Sequence, residues 1–157
     1  METLPREYRE WLAPGIPGAL AVVDGNGLPQ VARVWAARVA QGADVIEIYL
    51  QRGSALTVID ALVVPRHAAL NVIELPSYRS RTFKGECRLA PSPPDPAFIA
   101  ASLTAVGHVL HSVGMPADAV EIMLAHAEEE PRAMVSLHLI VEGIFDQSPK
   151  PGAGARL

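Results

Sequence analysis

The feature that most constrains the fold is a pair of strand-forming segments within residues 29–51, separated by a short turn. Branched and aromatic residues dominate both segments, and the intervening residues 41–44 include a glycine. This pattern predicts an antiparallel β-hairpin. Because side chains alternate across a strand, Arg33 shares a face with Trp35 and has apolar neighbours on either side. A cation in that setting lies either at the rim of a core or on the floor of an anion site.

The rest of the chain supplies four further predicted strands and four helices. Apolar alternation predicts strands over residues 19–23, 67–75, 79–90 and 134–145. Helical spacing of apolar residues predicts helices over 4–12, 54–62, 95–113 and 116–129, with Ser54 capping the second. One helix follows the third strand, and a helical pair precedes the last. This order predicts a mainly β protein of the α+β class, a six-stranded antiparallel barrel with helices packed outside it.

Composition and charge indicate one globular domain with a small anionic ligand. The 157 residues are 50% hydrophobic and 19% charged, which favours a single domain over residues 1–157, with 146–157 as an extended C-terminal arm. Residues 28–89 carry eight basic and five acidic side chains on an otherwise acidic chain. A local basic excess of this size suits a small anion better than nucleic acid, which needs a broad basic face.

Several features predict a cytoplasmic protein that does not span a membrane. Cys87 is the single cysteine, which excludes an internal disulfide framework and suits a reducing compartment. The first residues mix charges and lack the apolar region of a signal peptide. No uncharged apolar run approaches the ~18–20 residues of a membrane span. His108 and His111 are three residues apart, a spacing that we interpret as polar helix surface rather than a metal site.

Three stretches resemble the pyridoxamine 5'-phosphate oxidase-like family of FMN-binding split barrels. Residues 33–36 (Arg-Val-Trp-Ala) resemble its flavin-contacting strand segment. Residues 77–85 (Ser-Tyr-Arg-Ser-Arg-Thr-Phe-Lys-Gly) resemble the Tyr-Arg-Thr…Lys-Gly stretch of a bacterial branch. Residues 145–149 (Phe-Asp-Gln-Ser-Pro) and 151–154 (Pro-Gly-Ala-Gly) resemble the C-terminal motif of that branch. The resemblance spans most of residues 19–157 and implies a six-stranded antiparallel split β-barrel.

The resemblance also implies a flavin site and leaves two functions open. The first is an FMN-dependent oxidoreductase acting on an unknown small molecule. The second is a binding or sensor protein that holds flavin, haem or another anion on the same barrel without turnover. No residue pattern identifies a catalytic acid or base, so redox chemistry would come from the flavin. The residues implied to contact the cofactor are Arg33, Val34, Trp35, Ala36, Leu50, Gln51, Arg52, Ser54, Ser80 and Thr82.

One departure from the family pattern weakens the predicted phosphate site. Where the family has a basic pair opening the helix after the third strand, this chain has Ala55 and Leu56. Arg52 and Ser54 remain nearby, together with the expected helix N-terminus, which favours an anion. Each charge-assisted contact that is lost typically costs about 1.5–3 kcal/mol. FMN is therefore the predicted cofactor, with a weaker hold on its phosphate.

The last predicted strand indicates a homodimer. Val135, Leu137, Leu139 and Val141 alternate with Met134, Ile140 and Ile144, so both faces are apolar. One face packs into the barrel, and the other needs a helix or a partner subunit to cover it. The resemblance implies the same assembly, because the family's cofactor site is built from two chains.

Overall fold

The computed structural model describes residues 4–12, 16–40, 44–75, 77–128 and 134–157. Three residues of the predicted turn, 41–43, therefore lie outside the described residues. The strands are β1 (Gly18–Val23), β2 (Pro29–Val34), β3 (Ala36–Val39), β4 (Val45–Gln51), β5 (Arg66–Glu74), β6 (Arg79–Leu89) and β7 (Met134–Asp146). The helices are α1 (Arg6–Leu12), α2 (Leu56–Ala61), α3 (Pro96–Ser112) and α4 (Ala117–Glu128).

All strands pair antiparallel in one sheet of order β2-β1-β5-β6-β7-β4-β3. The predicted α+β antiparallel barrel is confirmed, with seven strands rather than six. The additional strand arises because the first strand of the predicted hairpin is interrupted at Trp35. Its first part pairs with β1, whereas its second part pairs with β4. Since β2 and β3 are consecutive in the chain and form opposite edges of the sheet, the sheet curls until these edges meet at Trp35.

The concave side of the sheet encloses the main core. Leu20, Leu70, Phe83 and Leu137 lie in this core and are fully buried. The helix α1 also contributes to it through Tyr8, whose ring meets the Phe83 ring edge-on at 5.6 Å between centroids. Side chains of α2 complete the same cluster. Alternation along each strand thus supplies the interior of the barrel, as expected for a sheet with one buried face.

A second, smaller core lies on the outer side of the sheet, where α3 covers it. Trp35 and Tyr49 pack there against Ile99 and Leu103 of α3. Pro96 occupies the first turn of α3, where its missing N–H costs nothing, and the Asp95 carboxylate accepts from two backbone amides of that turn. The helix α4 contacts α3. The helical pair is therefore fixed over one part of the outer sheet face.

A β-bulge in β7 changes which of its last side chains face the main core. The pairing of β6 with β7 shifts register between Lys84 and Gly85, and one residue of β7, Glu142, is left without a counterpart. An extra residue inverts the alternation that follows it. Ile144 therefore packs against the main core. The prediction that it shares a face with Met134 and Ile140 was wrong for this reason.

The C-terminal residues turn back on the barrel instead of extending from it. The amide of Asp146 donates to the carbonyl of Ala155 at 3.0 Å, and the amide of Leu157 donates to that of Ile144 at 2.8 Å. Arg156 forms an isolated bridge with Phe145. Residues 146–157, predicted as an extended arm, therefore lie along the end of β7. Within the described residues, no helix has the length and apolar character needed to cross a bilayer.

Candidate ligand-binding site

Strand register places four side chains in one row across the outer face of the sheet. Arg33 of β2 lies opposite Ala19 of β1, which lies opposite Asn71 of β5, which in turn lies opposite Thr82 of β6. Directly opposed residues point to the same face of a sheet. Neighbours of this row along the strands, such as Leu20, Leu70 and Phe83, belong to the main core, so the row itself lies outside the barrel. The predicted residues Arg33 and Thr82 are thus brought onto one surface.

Asn71 is the polar centre of this row, and the sequence analysis did not identify it. Its side-chain amide donates to Thr82 Oγ1 at 2.9 Å and to Ser80 Oγ at 3.4 Å. Ser80 Oγ donates in turn to the carbonyl of Val72 at 3.1 Å. These bonds hold the amide plane of Asn71 in place. The available signal was a lone amide between Leu70 and Val72 in an otherwise apolar strand, but only the pairing with β6 reveals its partners.

A cavity of about 330 Å³ lies between this face and the helical pair. Arg33, Trp35 and Asn71 are its polar wall residues. The remaining wall is mostly apolar, with contributions from Ile73, Val106, Leu110 and Met123. A mainly apolar cleft with a few convergent polar groups, at the low end of ~300–1,000 Å³, is typical of a small-molecule site.

Arg33 carries the charge of this cavity. Its guanidinium carbon lies 5.2 Å from the centroid of the Trp35 ring, and Nη1 lies 3.2 Å from the sulfur of Met123. Neither neighbour bears a negative charge, and no ion pair to Arg33 occurs among the described residues. The guanidinium is exposed and held between a ring and a thioether. An uncompensated, oriented cation at the wall of an apolar cavity is suited to an anionic ligand group.

Trp35 supplies an aromatic part of the cavity wall. Its backbone amide donates to the carbonyl of Tyr49 at 3.0 Å, which ties the interrupted strand to β4. The residue is only 7% exposed, and its indole Nε1 has no hydrogen-bond partner in the part of the chain that the structure describes. A buried donor without a partner is costly, and most such groups in native proteins are satisfied. The N–H itself is buried, so Trp35 contributes its ring to the cavity wall rather than a hydrogen-bond donor.

The other predicted site residues divide into buried and peripheral positions. Val34, Ala36 and Leu50 are fully buried, so only their backbone groups could contact a ligand. Gln51 ends β4, and a 3₁₀ turn, Arg52–Ser54, follows it with both named side chains exposed. No described contact joins Arg52 or Ser54 to the cavity. The structure therefore groups Arg33, Val34 and Trp35 at the cavity, with Ser80 and Thr82 adjacent to it.

The predicted cap of the second helix is corrected by the structure. Ser54 Oγ donates to the carbonyl of Gln51 at 3.3 Å because the 3₁₀ turn folds the hydroxyl back onto the preceding strand. Ala55 occupies the N-cap position and offers no side-chain acceptor. The helix that follows has only six residues. Ser54 therefore does not cap α2, and this short helix adds little to anion binding.

The two C-terminal motifs that resemble the family have a structural role. Asp146 is buried, and its carboxylate accepts from Arg81 Nη1 at 2.7 Å, from the Ser148 amide at 2.8 Å and from Lys150 Nζ at 2.9 Å. The Gln147 amide donates to the carbonyl of Ser80 at 3.0 Å. Hydrogen bonds from Lys150 and Ser148, together with the Arg81 charge, hold the pKa of Asp146 well below its ordinary value. These contacts join the C-terminal turn to the start of β6.

A second polar cluster on the outer face fixes α3 to the sheet. Arg38 Nε lies 2.6 Å from Glu47, and Nη1 lies 2.9 Å from Asp95, the residue that caps α3. The guanidinium also lies 4.5 Å from the Phe98 ring centroid. Hydrogen bonds from the Phe98 amide and from Arg38 lower the pKa of Asp95. Arg38 is thus paired with two carboxylates, and the cluster positions the helix that roofs the cavity.

The arrangement is suited to binding rather than to proton transfer. The cavity contains a guanidinium, an amide and an indole, and none of these exchanges protons near neutral pH. No group of three or more histidine, cysteine, aspartate or glutamate residues within the described chain is arranged to hold a metal ion. Among the described residues that line the cavity, none is a general acid or base for neutral pH. Any redox chemistry there requires a bound cofactor.

Comparison with known proteins supports the fold. No family model matches the chain, and no curated protein matches it in sequence. A crystal structure of HupZ from Group A Streptococcus aligns with a TM-score of 0.54 and 14% identity, covering 98% of this chain and 99% of the other. A pyridoxamine 5'-phosphate oxidase-related, FMN-binding protein from Nostoc punctiforme aligns with a TM-score of 0.52 and 15% identity, covering 93% and 86%.

A third similar structure is HutZ, described as the haem storage protein of Vibrio cholerae. It aligns with a TM-score of 0.50 and 15% identity, covering 94% of this chain and 97% of the other. Together these alignments define the class of protein: the chain has the split-barrel fold and resembles the pyridoxamine 5'-phosphate oxidase-like proteins that share it. At this level of identity the alignments establish the fold, whereas the ligand has to be argued from the site.

Proposed function

We propose that the protein binds FMN and acts as an FMN-dependent oxidoreductase on a small molecule. The observation that carries this proposal is the uncompensated Arg33 guanidinium at the wall of the apolar cavity. FMN combines a phosphate with a planar, largely apolar ring, and it therefore needs both a cation and an apolar surface. The Nostoc protein of the same fold is described as FMN-binding, which supports this choice of ligand.

The residues at the cavity have separate roles in this proposal. Arg33 pairs with the phosphate through charge-assisted hydrogen bonds. Trp35 offers its ring as part of the apolar wall, and Asn71 presents an amide that Thr82 and Ser80 hold in place. Bound FMN would supply hydride transfer, and this chain would bind and orient it and exclude water. Gln51, Arg52 and Ser54 remain predicted phosphate-side contacts.

A specific observation favours a second candidate, a protein that holds flavin, haem or another anion without turnover. Ala55 is buried and Leu56 is uncharged, so the helix after β4 contributes no cation. An anion in the cavity would then depend mainly on Arg33. A lower affinity for phosphate is compatible with a carrier or sensor. HutZ, of the same fold, is described as a haem storage protein.

A titration with FMN tests the flavin proposal and separates it from the alternative. Arg33→Ala is expected to weaken FMN binding by roughly 1.5–3 kcal/mol, which corresponds to about one to two powers of ten in Kd. Arg88→Ala is a matched control, because Arg88 is also an exposed strand arginine but does not line the cavity. An unchanged affinity in the Arg33 variant would remove this residue from the site.

Spectra and a gain-of-binding variant complete the test. Yellow protein with flavin absorbance supports FMN, a Soret band supports haem, and colourless protein that ignores added FMN contradicts both. Leu56→Lys, at an exposed position, is expected to strengthen FMN binding by restoring one cation of the basic pair, whereas Ala55 is buried in the main core and has no room for an arginine. If Leu56→Lys does not strengthen binding, the phosphate lies elsewhere than at the start of α2. NADH- or NADPH-dependent reduction of the bound flavin would distinguish an oxidoreductase from a passive carrier.

We also propose that the protein is a homodimer. Val23, Leu28 and Val31 of the β1–β2 hairpin are 52%, 58% and 62% exposed, and they form an apolar surface beside the Arg33 row. A second copy of the chain would cover this surface and close the open side of the ligand site, as is usual for two-fold oligomers. Light scattering at micromolar concentration is expected to give the mass of two chains. The mass of one chain in a folded sample would refute the dimer.

A further inference from the structure

The thioether of Met123 contacts the guanidinium that carries the charge of the cavity. Met123 lies on α4, lines the cavity and is half-buried. Its sulfur lies 3.2 Å from Arg33 Nη1. A thioether is a weak acceptor, so this contact orients the guanidinium but leaves its charge uncompensated. An oxygen atom added to this sulfur would lie within hydrogen-bonding reach of Arg33.

Hydrogen peroxide is an oxidant that adds such an oxygen to a thioether. A lone pair of the sulfur attacks one peroxide oxygen, so that an S–O bond forms and the O–O bond breaks. The sulfur gives up an electron pair and is oxidised, while the peroxide is reduced. The hydroxide that leaves takes the proton of the new S–OH group, and the products are a sulfoxide and water. The sulfoxide oxygen carries partial negative charge and is a far stronger acceptor than the thioether.

The other methionines serve as internal references for this reaction. Met115 also lines the cavity and is half-buried, but no contact joins its sulfur to Arg33 in the described part of the chain. Met134 is only 4% exposed and packs in the smaller core under α3. Peroxide that enters the cavity therefore reaches Met115 and Met123, whereas Met134 is shielded. Met1 lies outside the described residues.

We propose that Met123 is a site of oxidative modification through which hydrogen peroxide weakens anion binding at Arg33. The sulfoxide oxygen accepts from the guanidinium and occupies N–H donors that an anionic ligand would otherwise use. Because a guanidinium has several donors, anion binding is weakened rather than abolished. Enzymatic reduction reverses methionine oxidation, which suits a regulatory role. This inference rests on the proposed anion site at Arg33, whether its ligand is FMN or another anion.

Two fluorescent probes that differ in charge measure the anion site without FMN. Anilinonaphthalene sulfonate carries a sulfonate group, whereas phenylnaphthylamine has the same rings without it. Titration of the full chain is expected to show that peroxide treatment weakens binding of the sulfonate about 3- to 10-fold, the equivalent of one hydrogen bond. Binding of the uncharged amine is expected to be unchanged, which shows that the cavity is intact. Equal losses for the two probes, or no loss for either, would overturn the proposal.

Variants of the two cavity methionines identify the responsible residue. Met123→Leu is expected to bind the sulfonate equally well before and after peroxide treatment, whereas Met115→Leu is expected to keep the loss. Met123→Gln carries an amide oxygen in place of the sulfoxide oxygen, and it is expected to bind the sulfonate more weakly than Met123→Leu without any peroxide. In Arg33→Ala, peroxide is expected to cause no further loss. A loss that persists in Met123→Leu would overturn the assignment.

Peptide mass spectrometry follows the modification itself. At limiting peroxide, oxygen is expected on Met123 of the folded chain, and on Met134 only after unfolding in urea. A folded chain in which Met134 is oxidised before Met123 would overturn the proposal. A chain that binds the sulfonate but not FMN would refute the flavin proposal and leave this one standing. A chain that does not bind the sulfonate would overturn this proposal, and the FMN titration would still decide the flavin.

Discussion

Replacing Gly85 with alanine tests whether the β-bulge between β6 and β7 holds the barrel together. A Cβ atom at this position would collide with the carbonyl oxygen of Ile140 and would lie 3.1 Å from the amide nitrogen of Glu142. Both obstacles are backbone atoms of the neighbouring strand, so no side-chain rotation relieves them. The two strands would have to separate at the register shift. Glycine is therefore required at position 85 by close approach of the backbones.

The loss of stability in Gly85→Ala can be worked out from the contacts that would be disturbed if the two strands separated. Loss of one or two ladder hydrogen bonds costs about 0.5–1.5 kcal/mol each, and forcing an extra methyl into a packed sheet costs about 1–3 kcal/mol. We therefore expect Gly85→Ala to lower the free energy of unfolding by roughly 2–5 kcal/mol, out of a typical total of about 5–15 kcal/mol. At about 2–4 °C per kcal/mol for a chain of this size, Tm should fall by roughly 4–20 °C.

Urea unfolding followed by circular dichroism measures this change, with Gly53→Ala as the matched control. A Cβ atom at Gly53 would meet no heavy atom within 4 Å. Because that substitution also restricts the unfolded chain, it is expected to be neutral or to stabilise by up to about 1 kcal/mol. Equal stability of the Gly85→Ala protein and the unaltered chain would refute the close approach. Equal losses in both variants would show that glycine flexibility, rather than the bulge, is responsible.

Two further predictions concern titratable groups. Asp146 has a folded-state pKa below its unfolded value, so its contribution to stability is present above about pH 4 and is lost as the pH falls through the folded pKa. Asp146→Asn should therefore destabilise the protein at pH 7, and urea midpoints of the variant and the unaltered chain should converge at acidic pH; a constant difference would contradict this. Burial raises the pKa of the Cys87 thiol to about 12. A disulfide reagent at pH 8 should therefore modify Cys87 only after unfolding, and rapid reaction of the folded chain would contradict its burial.

The elements of the fold could be predicted because their signals are local. Apolar alternation located β5, β6 and β7 to within a residue or two, and proline together with helical spacing located α3 and α4. The interruption of the hairpin strand at Trp35 could not be predicted in this way. Residues 29–39 show one strand-like pattern throughout, and only the pairing of each half with a different strand shows the break. Pairing over long sequence distances leaves no local signal.

The candidate site was predictable only in part, for a related reason. Arg33 was identified because a cation among apolar strand residues is conspicuous in the sequence. Asn71 was not, because its role depends on Thr82, eleven residues further along, lying opposite it in the sheet. Ser54 was assigned a capping role on local pattern, but a 3₁₀ turn directs its hydroxyl to Gln51. Residues whose function depends on tertiary neighbours are those that a single sequence leaves undetermined.

Trp35 connects the closure of the barrel with the ligand site. The hydrogen bond from its backbone amide to the carbonyl of Tyr49 holds the point where the two edges of the sheet meet. Its side chain packs under α3 and lines the cavity. The same ring supports Arg33, whose guanidinium stacks on it at 5.2 Å. The position of the cation therefore depends on where the strand is interrupted. The pairing of Arg33 with Ala19 of β1 sets the face on which the guanidinium lies, and the break directly after β2 places the Trp35 ring beside it. The geometry of the fold thus fixes the charge at the cavity, and binding and barrel closure depend on one short segment.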